Sequence, residues 1–61
     1  MQHEDFTDVI VPLRWQFKRL GMSWSHPRVK AWMKQAGFQN NYEMPKAAYQ
    51  ALTRKLEGVK P

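Results

Sequence analysis

Ten basic side chains and a few aromatics without an obvious core position are the residues of this 61-residue chain that could do chemistry. Nine of the basic residues fall into three groups: Arg14, Lys18 and Arg19; Arg28, Lys30 and Lys34; Lys46, Arg54 and Lys55. Lys30 and Lys34, one helical turn apart, would share a face and could follow a run of phosphates. Arg28 and Gln35 add side chains able to hydrogen-bond base edges. Trp15, Trp24 and Tyr42 lie off the apolar stripes, so they could stack on bases or fill a protein interface. Each group also has a plainer reading. Basic residues line the wet side of many amphipathic helices, and most aromatics in a chain this short serve the core.

Other chemistry finds little support. There is no Cys, which removes thiol nucleophiles, disulfides and thiolate metal sites. His26 stands beside a helix start and reads as a cap or surface group, with no carboxylate placed to orient it as a base. His3, Glu4 and Asp5 are three adjacent residues at a chain end, a poor metal site. No Gly-rich phosphate loop is present. The expectation is therefore no catalytic residue, no metal, no cofactor and no small-molecule substrate.

Charge sharpens the picture. The net charge is +5, but residues 1–10 carry −3 and residues 11–61 carry +8. A basic body behind an acidic leader suits a nucleic acid or an acidic protein segment as partner. The longest apolar run, Val9-Ile10-Val11, is far too short to span a membrane, and an acidic N-terminus does not suit a signal peptide. A cytoplasmic location without membrane attachment is expected.

The elements that must position these residues are punctuated by Pro and Gly. Pro12, Pro27 and Pro45 precede periodic stretches, and Gly21, Gly37 and Gly58 follow them. That asymmetry marks helix starts and ends. It predicts an all-α, compact three-helix domain with helices at about 8–20, 26–36 and 45–57, residues 1–7 as a flexible acidic leader and 58–61 as a tail. The first helix has the least defined start. Thr7 or Asp8 could cap it, but Pro12 would then lie inside, so Asp8–Val11 is alternatively extended or a separate turn. Its apolar stripe is Ile10, Leu13, Phe17 and Leu20. The second helix, capped by Ser25 or His26, turns Val29, Trp32, Met33 and Ala36 inward, with Phe38 folding back onto Met33 past Gly37. The third buries Ala48, Tyr49, Leu52 and Leu56.

The stretch Leu20-Gly21-Met22-Ser23-Trp24-Ser25, then Val29, Lys30 and Trp32, then Gly37-Phe38, Pro45, Tyr49, Leu52 and Leu56, resembles the small C-terminal helical module of phage single-strand-annealing recombinases and related mobile-element DNA proteins. The resemblance covers residues 20–57 and rests mostly on core positions. It implies contacts with DNA-handling proteins and a tuning of DNA binding, carried here by Arg28, Lys30 and Lys34. This chain departs from that pattern: Gly21 lies three residues before Trp24, and Met44 precedes Pro45. The annealing core is absent, so annealing is not implied. Trp24 to Tyr42 is also similar to the opening of a sterile-alpha-motif domain, but too few residues follow for its remaining helices.

Together these readings point to a non-catalytic phage or mobile-element accessory protein. Its partner would be DNA or a DNA-recombination or replication protein, with Trp15 or Trp24 as an aromatic anchor. Two alternatives stand beside it. One is a helix-turn-helix-like regulator or excisionase-like factor reading bases with Arg28, Lys34 and Gln35. The other is an inhibitor or assembly factor acting as a homodimer that buries Trp15 and Val9–Val11.

Overall fold

A computed structural model describes residues 5–61. Three helices follow one another: α1 over Thr7–Leu20, α2 over Pro27–Ala36 and α3 over Lys46–Glu57, with a short 3₁₀ turn at Asn41–Glu43 between α2 and α3. The described residues contain no strand, and the domain is all-α.

Helix α1 continues through Pro12. Proline removes the N–H that would bond the Asp8 carbonyl, so local propensity opposes a helix here. Tertiary packing overrides it, because Val9, Leu13 and Phe17 at i, i+4 and i+8 are all buried. The stripe is therefore shifted from the expected one: Val9 is 2% exposed and belongs to the core, whereas Ile10 and Leu20 are only half-buried. An extended Asp8–Val11 is excluded, and neither Thr7 nor Asp8 caps. The start is instead held by Asp5, whose carboxylate accepts from the Thr7 N–H at 2.9 Å.

Residues 5–7 are thus part of the folded body and not of a free leader. Phe6 packs edge-on against Tyr49, with ring centroids 5.4 Å apart. His3 and Glu4 lie outside the described residues. The expected tail is tied down as well. Val59 packs against the core, and its carbonyl accepts from Arg19 at 2.9 Å.

Helices α1 and α2 end alike. Gly21 and Gly37 take left-handed conformations with φ of 67° and 91°. The next residue then donates back across the turn, Met22 to the Phe17 carbonyl and Phe38 to the Met33 carbonyl, each at 2.8 Å. A side chain at either glycine would strain this closure. At the start of α2, His26 Nδ1 accepts from the Arg28 N–H at 3.1 Å, with Pro27 in the first turn.

The core joins Val9, Leu13 and Phe17 of α1, Val29 and Met33 of α2, and Ala48, Tyr49, Leu52 and Leu56 of α3. Met44, inside a polar connection, is 3% exposed and completes it. Helices α1 and α3 lie closest together, while α2 meets them mainly through side chains. Trp24 bridges the layers, edge-on to Phe17 at 5.1 Å and to Tyr49 at 5.9 Å.

Two predictions follow from α1. Pro12→Ala restores a donor on an exposed turn and should stabilise the fold by about 1–2 kcal/mol, after the gain in unfolded-chain entropy is subtracted. At the scaling for domains of this size, the thermal midpoint by circular dichroism should rise by about 5 °C or more. The second concerns Asp5. Hydrogen bonding from Thr7, side chain first and backbone second, holds its carboxyl below the ordinary 3.8, with Lys46 adding a smaller attraction. A lowered folded-state pKa stabilises above the unfolded value and is lost as pH falls through the folded one. Asp5→Asn should therefore cost stability at neutral pH, and its difference from wild type should shrink below about pH 4.

Candidate nucleic-acid interface

Helix α2 carries Arg28, Lys30, Lys34 and Gln35. Its inner stripe of Val29 and Met33 is buried and Trp32 is half-buried, which fixes the helix rotation. The expected inner residue Ala36 is exposed, because the helix ends there and the chain turns away at Gly37. The opposite half presents Arg28, Lys30, Ala31, Lys34 and Gln35 to solvent. No carboxylate occurs anywhere in α2.

The exposed half has two flanks. Lys30 and Lys34 border an open groove of about 590 Å³ whose apolar lining includes Trp24, Met33 and Phe38, with Asn40 and Asn41 at its far side. Arg28 and Gln35, seven residues apart, border a second groove with Trp32, Lys55 and Val59. Small Ala31 lies between the flanks. The four polar side chains therefore share one helix but edge different grooves. Residues 21–26 separate α1 from α2. That connection exceeds the roughly three- to four-residue turn of a helix-turn-helix.

Arg14 and Lys18 sit on α1, on its outer face, with Val11 and Trp15. Trp15 is 65% exposed, and the Lys18 ammonium lies 5.8 Å from its ring centroid. Tyr42, on the 3₁₀ turn, is exposed as well. Trp24 is a correction to the sequence reading. Its edge-on contacts with Phe17 and Tyr49 make it a structural wedge, and only part of its ring remains to line the α2 groove. Nothing in its spacing distinguished it from Trp15, since neither fits a helical stripe and only the fold decides which one a neighbour covers.

Two basic residues are already occupied. Arg19 donates from one guanidinium nitrogen to the Leu56 and Val59 carbonyls, each at 2.9 Å, and from Nε to Gln16 at 2.9 Å. It thereby ties α1 to the end of α3 and the residues that follow it. Lys46 pairs with Asp8 at 3.3 Å and lies over the Phe6 ring. This partly exposed pair contributes little stability. His26 uses Nδ1 as a helix cap. Among the described residues, no group of three His, Cys, Asp or Glu could hold a metal, and no helix is long and apolar enough to cross a membrane.

The chain matches no known family model, no curated protein and no solved structure.

The separation of bound from unbound cations is testable. Arg19→Gln should lower stability by about 1–2 kcal/mol, the range for a charge-assisted hydrogen bond at a partly exposed site. Urea unfolding would measure it. The same change should leave the affinity for any polyanion nearly unaltered relative to Lys30→Ala, because the Arg19 guanidinium is turned to the α3 carbonyls.

Proposed function

We propose that this chain is a non-catalytic accessory protein of DNA metabolism, of the kind carried by phages and mobile elements, that captures nucleic acid on the outer half of α2. One observation carries the reading. Of the ten basic side chains, Lys46 alone forms an ion pair among the described residues, and α2 holds three cations with no carboxylate to neutralise them. Such a face focuses positive potential and draws in a polyanion. Lys30 and Lys34 would follow the backbone, while Arg28 and Gln35 reach the second groove with Lys55. The resemblance of residues 20–57 to modules of DNA recombination proteins supports the same context.

A second reading is favoured by the groove beneath Lys30 and Lys34. Its lining of Trp24, Met33 and Phe38 is apolar while its rim is cationic. An acidic segment of a DNA-handling protein, with an apolar side chain among its carboxylates, would use both features.

Labelled single- and double-stranded oligonucleotides, titrated at 50 and 200 mM salt and read by anisotropy, separate the two. Three phosphate contacts on a single strand predict about 20-fold weaker binding at the higher salt. The double change Lys30→Ala and Lys34→Ala should flatten the log–log salt slope by about 1.4. No binding of either oligonucleotide at 50 mM refutes nucleic-acid capture and leaves the acidic-segment reading. Duplex binding with marked sequence preference would instead favour a groove-reading regulator.

A further inference from the structure

We infer that the outer face of α1 is a stacking platform for unpaired bases, centred on Trp15 and flanked by Arg14 and Lys18. The inference deepens the nucleic-acid reading, rests on it, and specifies single strands as the form this surface takes. Helix α1 buries Val9, Leu13 and Phe17. The opposite side leaves two large apolar residues in water, Val11 at 46% and Trp15 at 65% exposure. They line one shallow cleft of about 310 Å³ together with Arg14 and Lys18. The Lys18 ammonium covers one side of the indole at 5.8 Å, and Trp15 is open enough to offer the other. A planar ring beside two cations matches a nucleotide, whose base has a π-face and whose phosphate is anionic. In a duplex the bases already stack on one another, so this platform favours unpaired strands.

Two other occupants fit this face less well. In a two-fold dimer the same patch meets itself, which brings Arg14 and Lys18 toward the same cations of the second copy. Val9, which a dimer was expected to bury, is already in the core. An anionic lipid surface would satisfy the cations, but interfacial helices insert a broad apolar face, and the large apolar side chains Leu13 and Phe17 are turned inward.

The test uses the full chain, an oligothymidine and an abasic oligomer of the same length, which keeps the phosphates and lacks the bases. Wild type should bind the oligothymidine roughly tenfold more tightly than the abasic oligomer, within the range measured for one stacked base. Trp15→Ala should erase that difference without changing affinity for the abasic oligomer. Trp15→Phe should keep most of it. Circular dichroism of both variants checks that the exposed substitution leaves the fold intact. If wild type binds both oligomers equally, or if Trp15→Ala retains the preference, the platform is refuted while capture by α2 stands. If neither oligomer binds at 50 mM salt, both readings fall.

Discussion

Tyr49 is the point on which the arrangement depends. Its ring lies on α3, 6% exposed, and makes T-shaped contacts with two aromatics that come from elsewhere in the chain. Phe6 arrives from before α1, and Trp24 from the connection between α1 and α2. Its hydroxyl donates to the Asn41 carbonyl at 2.7 Å and so fixes the connection between α2 and α3. Its own carbonyl accepts from the buried Thr53 hydroxyl at 2.8 Å. One residue therefore positions the chain entry and both connections. In a domain with no disulfide and a small core, such a joint replaces covalent stapling. Edge-on aromatic pairs add about 0.5–1.5 kcal/mol each beyond the area they bury.

The aromatic chain Phe6–Tyr49–Trp24–Phe17 also explains how the surface is divided. Trp24 is held by Phe17 and Tyr49, so it braces the groove edged by Lys30 and Lys34 and does not project from it. Trp15 has no such neighbours and stays on the outside of α1. The basic residues divide in the same way. Arg19 and Lys46 serve the fold, one on the α3 carbonyls and one on Asp8. The α2 cations face water beside apolar grooves. A uniform count of positive charge thus becomes a few cations with structural work and a larger set available to a partner. On the proposed reading, phosphate capture belongs to α2 and base contact to α1.

The chain's own pattern determined the three helices and most of the core. Pro27, Gly21 and Gly37 marked ends because proline suits a first turn and glycine closes a helix left-handedly without strain, whereas Pro12 lies inside α1 and Gly58 is right-handed. The stripes of α2 and α3 were legible in Val29, Met33, Ala48, Tyr49, Leu52 and Leu56, since helical spacing puts these residues on one side. The exposure of Arg28, Lys30, Lys34 and Gln35 on α2 was legible for the same reason. Tertiary structure alone decided what lies across segments. Pro12 sits inside α1 because burial of Val9, Leu13 and Phe17 outweighs a lost hydrogen bond. Met44 is core although its neighbours are polar, Arg19 is a cap because the end of α3 reaches it, and Trp24 is covered where Trp15 is not. The last three do not depend on spacing within one helix. Each depends on which distant residue arrives beside it, and a periodic pattern holds no record of that.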